Sequence, residues 1–180
     1  MFIKNAWYVA GIGAQIGRMP SRIVVCNEPI VLFRSENGDA VALADRCIHR
    51  RLPLSKGRLD GDRLVCGYHG FTYDTSGRCV AVPGQDRVPR RAGVRAYPVV
   101  ERFGWIWLWL GVAEEADEAK LPEMPGMESD GWVPFRDHLH VNAHYQLLVD
   151  NLIDLSHETY VHTSSIGNDL VAETPIEVRR

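Results

Sequence analysis

The sequence predicts an antiparallel all-β domain over residues 1–112, a linker at 113–131, and the opening of a second domain of mixed helix and strand at 132–180. Three observations carry this. Short apolar runs alternate with turn residues through the first 112 positions. At Val112 the composition shifts to the acidic "AEEADEAK" and then to "LPEMPGMESDG", rich in Pro and Gly. Beyond that, "YQLLVDNLIDLSHETY" (145–160) has few breakers and sets Leu147, Leu148, Leu152 and Leu155 at helical spacing.

The elements follow in order. "NAWYVAGIGAQIG" (5–17) is uncharged but too short to span a bilayer, and Asn5, Trp7, Tyr8 and Gln15 spoil it as a signal-peptide core. It is expected to be a strand and a turn, in a cytoplasmic protein with no membrane segment. "RIVVCNEPIVLFR" (22–34) gives two strands split at Asn27-Glu28-Pro29, and Asn37-Gly38 marks the next hairpin. "RLVCGYHGFTYDTSGRCVAV" (63–82) repeats the scheme with turns at Gly67–Gly70 and Thr75–Gly77. In "WIWLWL" (105–110) the tryptophans face one way and Ile106, Leu108 and Leu110 the other, so this strand is covered on both faces. After the linker, with its possible short acidic helix, "RDHLHVNAH" (136–144) is expected as a strand, 145–160 as a helix, and "ETPIEVRR" (173–180) as the first strand of a sheet whose partners lie further on.

Composition narrows the function. The chain has 46% hydrophobic and 24% charged residues and a net charge of −3, values of an ordinary globular protein with no nucleic-acid-binding character. Its basic residues look scattered, and Arg50–Arg51 and Arg90–Arg91 look like solvated pairs. Four cysteines do not make a disulfide framework here. Cys26 and Cys79 lie in apolar runs and are expected in buried strands, whereas Cys47 and Cys66 alternate with histidines.

That alternation is the most informative feature. In "CIHRRLPLSKGRLDGDRLVCGYHG" (47–70), Cys47 precedes His49 by two positions and Cys66 precedes His69 by three. Structural zinc sites favour Cys-x(2–4)-Cys pairs, so this spacing is unusual for zinc. It suits a [2Fe–2S] cluster in which the Cys47 and Cys66 thiolates hold one iron and the His49 and His69 imidazoles the other. Neutral imidazoles reduce the cluster's negative charge and raise its potential over an all-cysteine site. Gly67 and Gly70 allow tight turns and offer backbone N–H groups to sulfur. A zinc site on the same four residues is the alternative; it predicts a colourless protein without acid-labile sulfide.

In this motif the chain resembles Rieske proteins. Residues 50–52 and 67–68 hold no extra cysteine, so the resemblance is to the ferredoxin and oxygenase type rather than the disulfide-bearing respiratory type.

A second group lies downstream. "DNLIDLSHETYVH" (150–162) carries Asn151, Asp154, His157 and His162. Histidines five apart lie about 140° apart on an ideal helix, so they share an ion only if the helix ends or bulges, here near Glu158–Val161. Otherwise the segment is an amphipathic helix with two incidental histidines. The spacing N-x-x-D-x-x-H-x-x-x-x-H resembles the iron site of Rieske non-haem iron oxygenases, and the likeness runs from "KNAWYVAG" to "HTSSIG", strongest to the aromatic O-demethylating monooxygenases.

The resemblance implies an all-β Rieske domain followed by an α+β helix-grip catalytic domain. It implies two cofactors, a Rieske [2Fe–2S] cluster and a mononuclear Fe(II) held by His157 and His162. Asp154 would hydrogen-bond a ligand histidine and link to His69 of a neighbouring subunit in a head-to-tail homotrimer, with Asn151 near the iron. The expected partners are a flavin/iron–sulfur reductase drawing on NADH, O2, and an aromatic substrate such as vanillate, demethylated to a phenol and formaldehyde. The third iron ligand, a carboxylate, is expected beyond residue 180. His138, His140 and His144 match no ligand position and are expected to be structural or solvated. The alternative role is that of a Rieske ferredoxin-like electron carrier.

Overall fold

The computed structural model describes residues 1–175 and 177. Strand β1 (Ala6–Ile12) ends in a 3-10 turn at Gly13–Gln15. β2 (Ser21–Val25), β3 (Glu28–Arg34) and β4 (Ala40–Ala44) form a meander, as do β5 (Arg58–Asp60), β6 (Arg63–Val65), β7 (Thr72–Tyr73) and β8 (Cys79–Ala81). β9 (Ala96–Tyr97) pairs with the free edge of β4. β10 (Val99–Arg102) and β11 (Trp105–Leu110) close a third sheet in the order β1-β11-β10. Every strand pairing is antiparallel, as the sequence predicts.

The turns explain the register. β2 and β3 meet through Cys26 and Asn27, both at positive φ (50° and 65°), the pair of left-handed residues a tight hairpin requires. The turn therefore comes earlier than expected: Glu28 and Pro29 belong to β3, and Cys26 is a half-buried turn residue rather than a buried strand residue. Cys79 is buried in β8, as expected.

Three apolar clusters hold this unit. On one face of β11, Ile106, Leu108 and Leu110 pack with Ile30, Leu32 and Tyr97. On the other, Trp107 packs with Phe103 and Leu121. Trp109 is fully buried, and its indole N–H donates to the Val112 carbonyl at 2.8 Å, satisfying the one polar atom such a side chain brings into a core. The 113–131 stretch forms two 3-10 turns, Ala113–Glu115 and Glu118–Lys120, and no acidic α-helix. The third cluster joins Val31, Phe33 and Leu43 to Cys47, Leu54, Leu64, Cys66, Tyr73 and Cys79. It forms the floor of the candidate centre.

The chain divides into two compact units, residues 1–137 and 138–180. In the second, α1 (Tyr145–Ile153) is capped by His144, whose ring accepts from the Gln146 N–H. A 3-10 turn at Leu155–His157 leads into α2 (Glu158–Val161), and α3 (Asp169–Glu173) is capped by Asn168. The strand expected at 136–144 does not form. No strand forms among the described residues of 138–180, and His140 bonds Asn142 locally at 2.9 Å. Of the strand expected at 173–180, Glu173 ends α3, while Ile176 and residues 178–180 lie outside the described residues. No helix among the described residues is long and apolar enough to cross a membrane.

Candidate metal centres

The first centre is built from two loops with the same backbone closure. The Cys47 N–H bonds the Leu52 carbonyl (2.9 Å) and the Arg51 N–H returns to the Cys47 carbonyl (3.0 Å). In the second loop the Cys66 N–H bonds the Phe71 carbonyl (2.8 Å) and the Gly70 N–H returns to the Cys66 carbonyl (3.1 Å). Arg51 and Gly70 fill equivalent positions, both left-handed, at φ 60° and 69°. The unequal Cys–His spacing is thus not a difference in loop length. The histidine takes the second position after cysteine in one loop and the third in the other.

This arrangement sorts the donors by exposure. Cys47 and Cys66 are buried at 2% exposure, on the floor made by the third cluster. His49 and His69 are exposed, with ring centroids 4.5 Å apart. His49 stacks on Phe71 at 4.8 Å, and Tyr68 covers His69 at 3.8 Å. Gly67 allows the close approach of the second loop to its neighbour, since a Cβ there would sit 2.7 Å from the Lys56 carbonyl oxygen. Pro83 packs against Gly70, where a Cβ would meet its ring at 2.9 Å.

Electrostatics follow from this burial. Burial pushes the Cys66 thiol up, opposed by the backbone N–H groups of Tyr68 and His69, which point at its sulfur. Those two supply the backbone donors expected of Gly67 and Gly70; the Gly70 N–H is already bound to the Cys66 carbonyl. Partial desolvation, then the His69 ring and the Arg50 guanidinium, hold the His49 imidazole below its ordinary value, favouring the neutral form that a metal ligand needs. Burial, followed by the Cys47 thiol beside it, pushes the Tyr73 phenol up, so its hydroxyl keeps its proton. That oxygen accepts from the Ile48 N–H at 3.2 Å and lies 3.2 Å from Cys47 Sγ. A metal-bound Cys47 thiolate could only accept, so in that form the phenol would be the donor.

Sequence reasoning missed two residues that shape this centre. Tyr73 is one. Asp45 is the other, with its side chain wholly buried. It accepts from the Ser55 N–H (2.7 Å), the Ser55 hydroxyl (2.8 Å) and Arg22 Nη1 (2.9 Å). It ties the start of the first loop to the 3-10 turn Leu54–Lys56 and to β2, and both partners lie too far along the chain for local patterns to show.

The donor set fits a dinuclear group. Among the described residues no three His, Cys, Asp or Glu side chains gather around one point. Two buried thiols and two exposed imidazoles instead suit two metal atoms with different ligands.

The second centre lies within residues 138–180. The helix expected over 145–160 breaks at Asp154 (φ −87°, ψ 95°), whose carboxylate accepts from the Ser156 N–H (3.1 Å) and hydroxyl (2.6 Å). These bonds, the hydroxyl first, also hold its carboxyl below the usual range. Glu158–Val161, where a distortion was expected, is a regular helical turn. The irregularity sits at its two ends, in the 3-10 turn ending at His157 and at non-helical His162 (φ −106°, ψ 32°). The two rings come to 5.4 Å. Asp154 reaches His157 through its main chain: the carbonyl lies 2.6 Å from His157 Nδ1, which must therefore carry the proton, leaving Nε2 as the free donor. The 162–168 loop folds back on α2, with the Gly167 N–H on the His162 carbonyl (3.0 Å) and no room for a Cβ at Gly167. Asn151 lies exposed in the last turns of α1.

Comparison with known proteins gives matches along the whole chain. Residues 6–98 match the Rieske [2Fe–2S] domain, and residues 141–180 the vanillate O-demethylase oxygenase C-terminal domain. The vanillate O-demethylase oxygenase subunit of Pseudomonas sp. (strain HR199 / DSM 7063) is 42% identical over 99% of this chain and 50% of its own length. The iron–sulfur subunit of the toluene-4-sulfonate monooxygenase system of Comamonas testosteroni is 38% identical over 100% of this chain and 52% of its own. The crystal structure of dicamba monooxygenase bound to dicamba superposes with a TM-score of 0.87 at 37% identity, covering 96% of this chain and 52% of that one. The chain spans about half the length of these relatives.

Proposed function

The chain belongs to the Rieske [2Fe–2S] family, and on that premise we propose that it is part of the oxygenase component of an aromatic monooxygenase. The observation that carries this reading is the pair of matched loops, with thiols below and imidazoles 4.5 Å apart above. In it, Cys47, His49, Cys66 and His69 hold the Rieske cluster, and His157 and His162 hold a mononuclear Fe(II). When bound, the cluster supplies one-electron transfer and the iron supplies activation of dioxygen.

The residues of the chain prepare these roles. Asp45, Ser55 and Tyr73 fix the first loop, and burial keeps water from the thiols. The exposed His49 and His69 form the edge through which electrons pass. Asp154 ends α1 and orients His157, with Asn151 close by in sequence. In the head-to-tail homotrimer of the full-length protein, Asp154 of one subunit would meet His69 of the next.

The substrate class is a methoxylated aromatic acid such as vanillate. One methyl ether, one O2 and one NADH with a proton yield the phenol, formaldehyde, water and NAD+. The electrons come from a flavin/iron–sulfur reductase. A metal-binding role for Cys47 and Cys66, in place of a disulfide framework, fits a cytoplasmic location. The test is formaldehyde release from vanillate by the full-length gene product with NADH and a reductase, with phenol formed in equal amount. No formaldehyde from an iron-replete preparation would remove the substrate assignment.

A second reading, an electron carrier, draws on the compactness of residues 1–137 as a unit. Iron content separates the two: two irons per chain for the carrier, three for the oxygenase.

A further inference from the structure

Asp45 is the only buried charged residue among those described, and its side chain is wholly enclosed. A carboxylate in such a place is costly unless donors surround it. Asp45 meets that demand with the Ser55 N–H, the Ser55 hydroxyl and Arg22 Nη1, at 2.7, 2.8 and 2.9 Å. Its own N–H donates to the Pro29 carbonyl at 3.0 Å, so the main chain pins it to β3 as well. Two of the three side-chain bonds go to one residue, Ser55.

Ser55 is the middle residue of the Leu54–Lys56 turn, and this turn connects the two ligand loops. Leu54 is fully buried in the third cluster and anchors the turn from below. The Gly57 N–H closes it on the Leu54 carbonyl at 2.9 Å. Its far side meets the second loop backbone to backbone. A Cβ on Gly57 would run into the Val65 carbonyl, and a Cβ on Gly67 would sit 2.7 Å from the Lys56 carbonyl oxygen. Past Gly57 the chain enters β5, where Arg58 pairs with Val65, the residue before Cys66. A continuous path therefore leads from Asp45, two residues before Cys47, through Ser55, Lys56 and Gly57 to Gly67, the residue after Cys66. Its second half has no side chain that could give way.

We propose that Asp45 and Ser55 are positioning residues for the second ligand loop as well as the first: they hold the 54–57 turn as a spacer that fixes the separation of the Cys47 and Cys66 loops. The proposal rests on the Rieske reading above, in which both thiols reach the same metal atom. A shared metal atom tolerates an error of only about 0.5 Å in its donors, which demands support from packed neighbours. Releasing the spacer therefore acts at a distance: a change beside Cys47 loosens the loop of Cys66.

The test is hydrogen–deuterium exchange of the cluster-loaded 180-residue chain, read on peptides covering 28–34, 47–53 and 64–71, together with the rate of iron release to a chelator. Ser55→Ala removes one of the three bonds to Asp45 and keeps the other two. Asp45→Asn sets an amide N–H against the Arg22 donor. Ser55→Thr restores the hydroxyl. Ser76→Ala is the control; it removes the matching hydroxyl bond to the Asp74 carboxylate (2.6 Å), in the turn after β7. Exchange in 64–71 is expected to be at least about tenfold faster in Ser55→Ala and Asp45→Asn, the equivalent of one lost charge-assisted hydrogen bond, with iron release faster by a similar factor. Exchange in 28–34 should not change, and Ser55→Thr and Ser76→Ala should match the parent. Faster exchange confined to 47–53 would show that Asp45 serves the first loop alone. Equal acceleration in all three segments would show a general loss of stability. Either result, or unchanged exchange in 64–71, would overturn the proposal. Should Asp45→Asn fail to fold, Ser55→Ala decides alone. A parent chain that takes up no cluster would overturn the Rieske reading instead, and exchange of the cluster-free chain would still decide whether the spacer joins the two loops.

Discussion

Arg51 and Gly70 occupy the same place in two matched loops, each at positive φ and each returning its N–H to the carbonyl of a cysteine four residues earlier. Only one of them is the residue that backbone conformation favours. A left-handed non-glycine residue costs about 1 kcal/mol. Arg51→Gly is therefore expected to leave the loop unchanged and raise stability by roughly 0.5 kcal/mol, the gain being trimmed by the greater freedom of glycine in the unfolded chain. Gly70→Ala is expected to cost about 2 kcal/mol or more, since it adds the same strain and drives a Cβ to 2.9 Å from Pro83. Thermal melts of the two variants check the pair; equal and small effects would deny the equivalence.

Tyr73 makes a second prediction. Its hydroxyl lies 3.2 Å from Cys47 Sγ, and against a metal-bound thiolate, which can only accept, it would be the donor. A donor to the sulfur stabilises the reduced, more negative cluster. Tyr73→Phe keeps the ring in the core and removes only that bond. The cluster potential is expected to fall by about 50 mV, the one-electron equivalent of roughly 1 kcal/mol. Protein-film voltammetry reads this directly, and an unchanged potential would show that the proton points elsewhere.

Acid sensitivity should concentrate at Glu101. Arg34 binds its carboxylate through both guanidinium ends, at 2.8 and 2.9 Å, and also donates to the carbonyls of Ile16, Gly38 and Gly13. The hydrogen bonds from Arg34 are the main cause of the lowered Glu101 pKa. A carboxyl with a lowered folded-state pKa stabilises the fold fully above its unfolded value, and that contribution disappears as pH falls through the folded one. Glu101→Gln should therefore lower stability at pH 7 and lower it less near pH 3. Because the Glu101 side chain is 41% exposed, solvent screening limits the effect to about 1 kcal/mol or less. Urea titrations of both proteins at the two pH values measure it.

The sequence carried the strands well because their signals are local. Asn37-Gly38 and the alternation of "WIWLWL" need no distant partner to be interpreted. The four loop donors were legible for the same reason, each Cys and His lying within three residues of its mate. What was not legible depended on residues far apart in the chain. Asp45 meets Arg22 and Ser55, and Tyr73 meets Cys47, only after the meanders fold. In the second unit, helical periodicity continued past Asp154, and the competing side-chain bonds to Ser156 that stop the helix left no trace in the apolar pattern.

That stop immediately precedes His157, and it can be removed. Asp154 breaks α1 by turning its carboxylate to Ser156, a local bond that competes with the helix. Asp154→Ala removes the acceptor, at a cost of about 1 kcal/mol to the turn, and replaces it with the strongest helix former. The α1 helix is then expected to run on through His157. Two imidazoles 5.4 Å apart would move toward the roughly 140° separation of an unbroken helix. A divalent ion held between them should be lost, while the loop donors at 47–69 keep their cluster. Titration with Co(II), followed by histidine proton shifts, should show binding at His157 and His162 in the parent and at least tenfold weaker binding in Asp154→Ala. The visible spectrum of the cluster should be the same in both. Equal Co(II) affinity in the two proteins would mean that the break at Asp154 does not create the site, and that the two rings are held by the 162–168 loop and Gly167 instead.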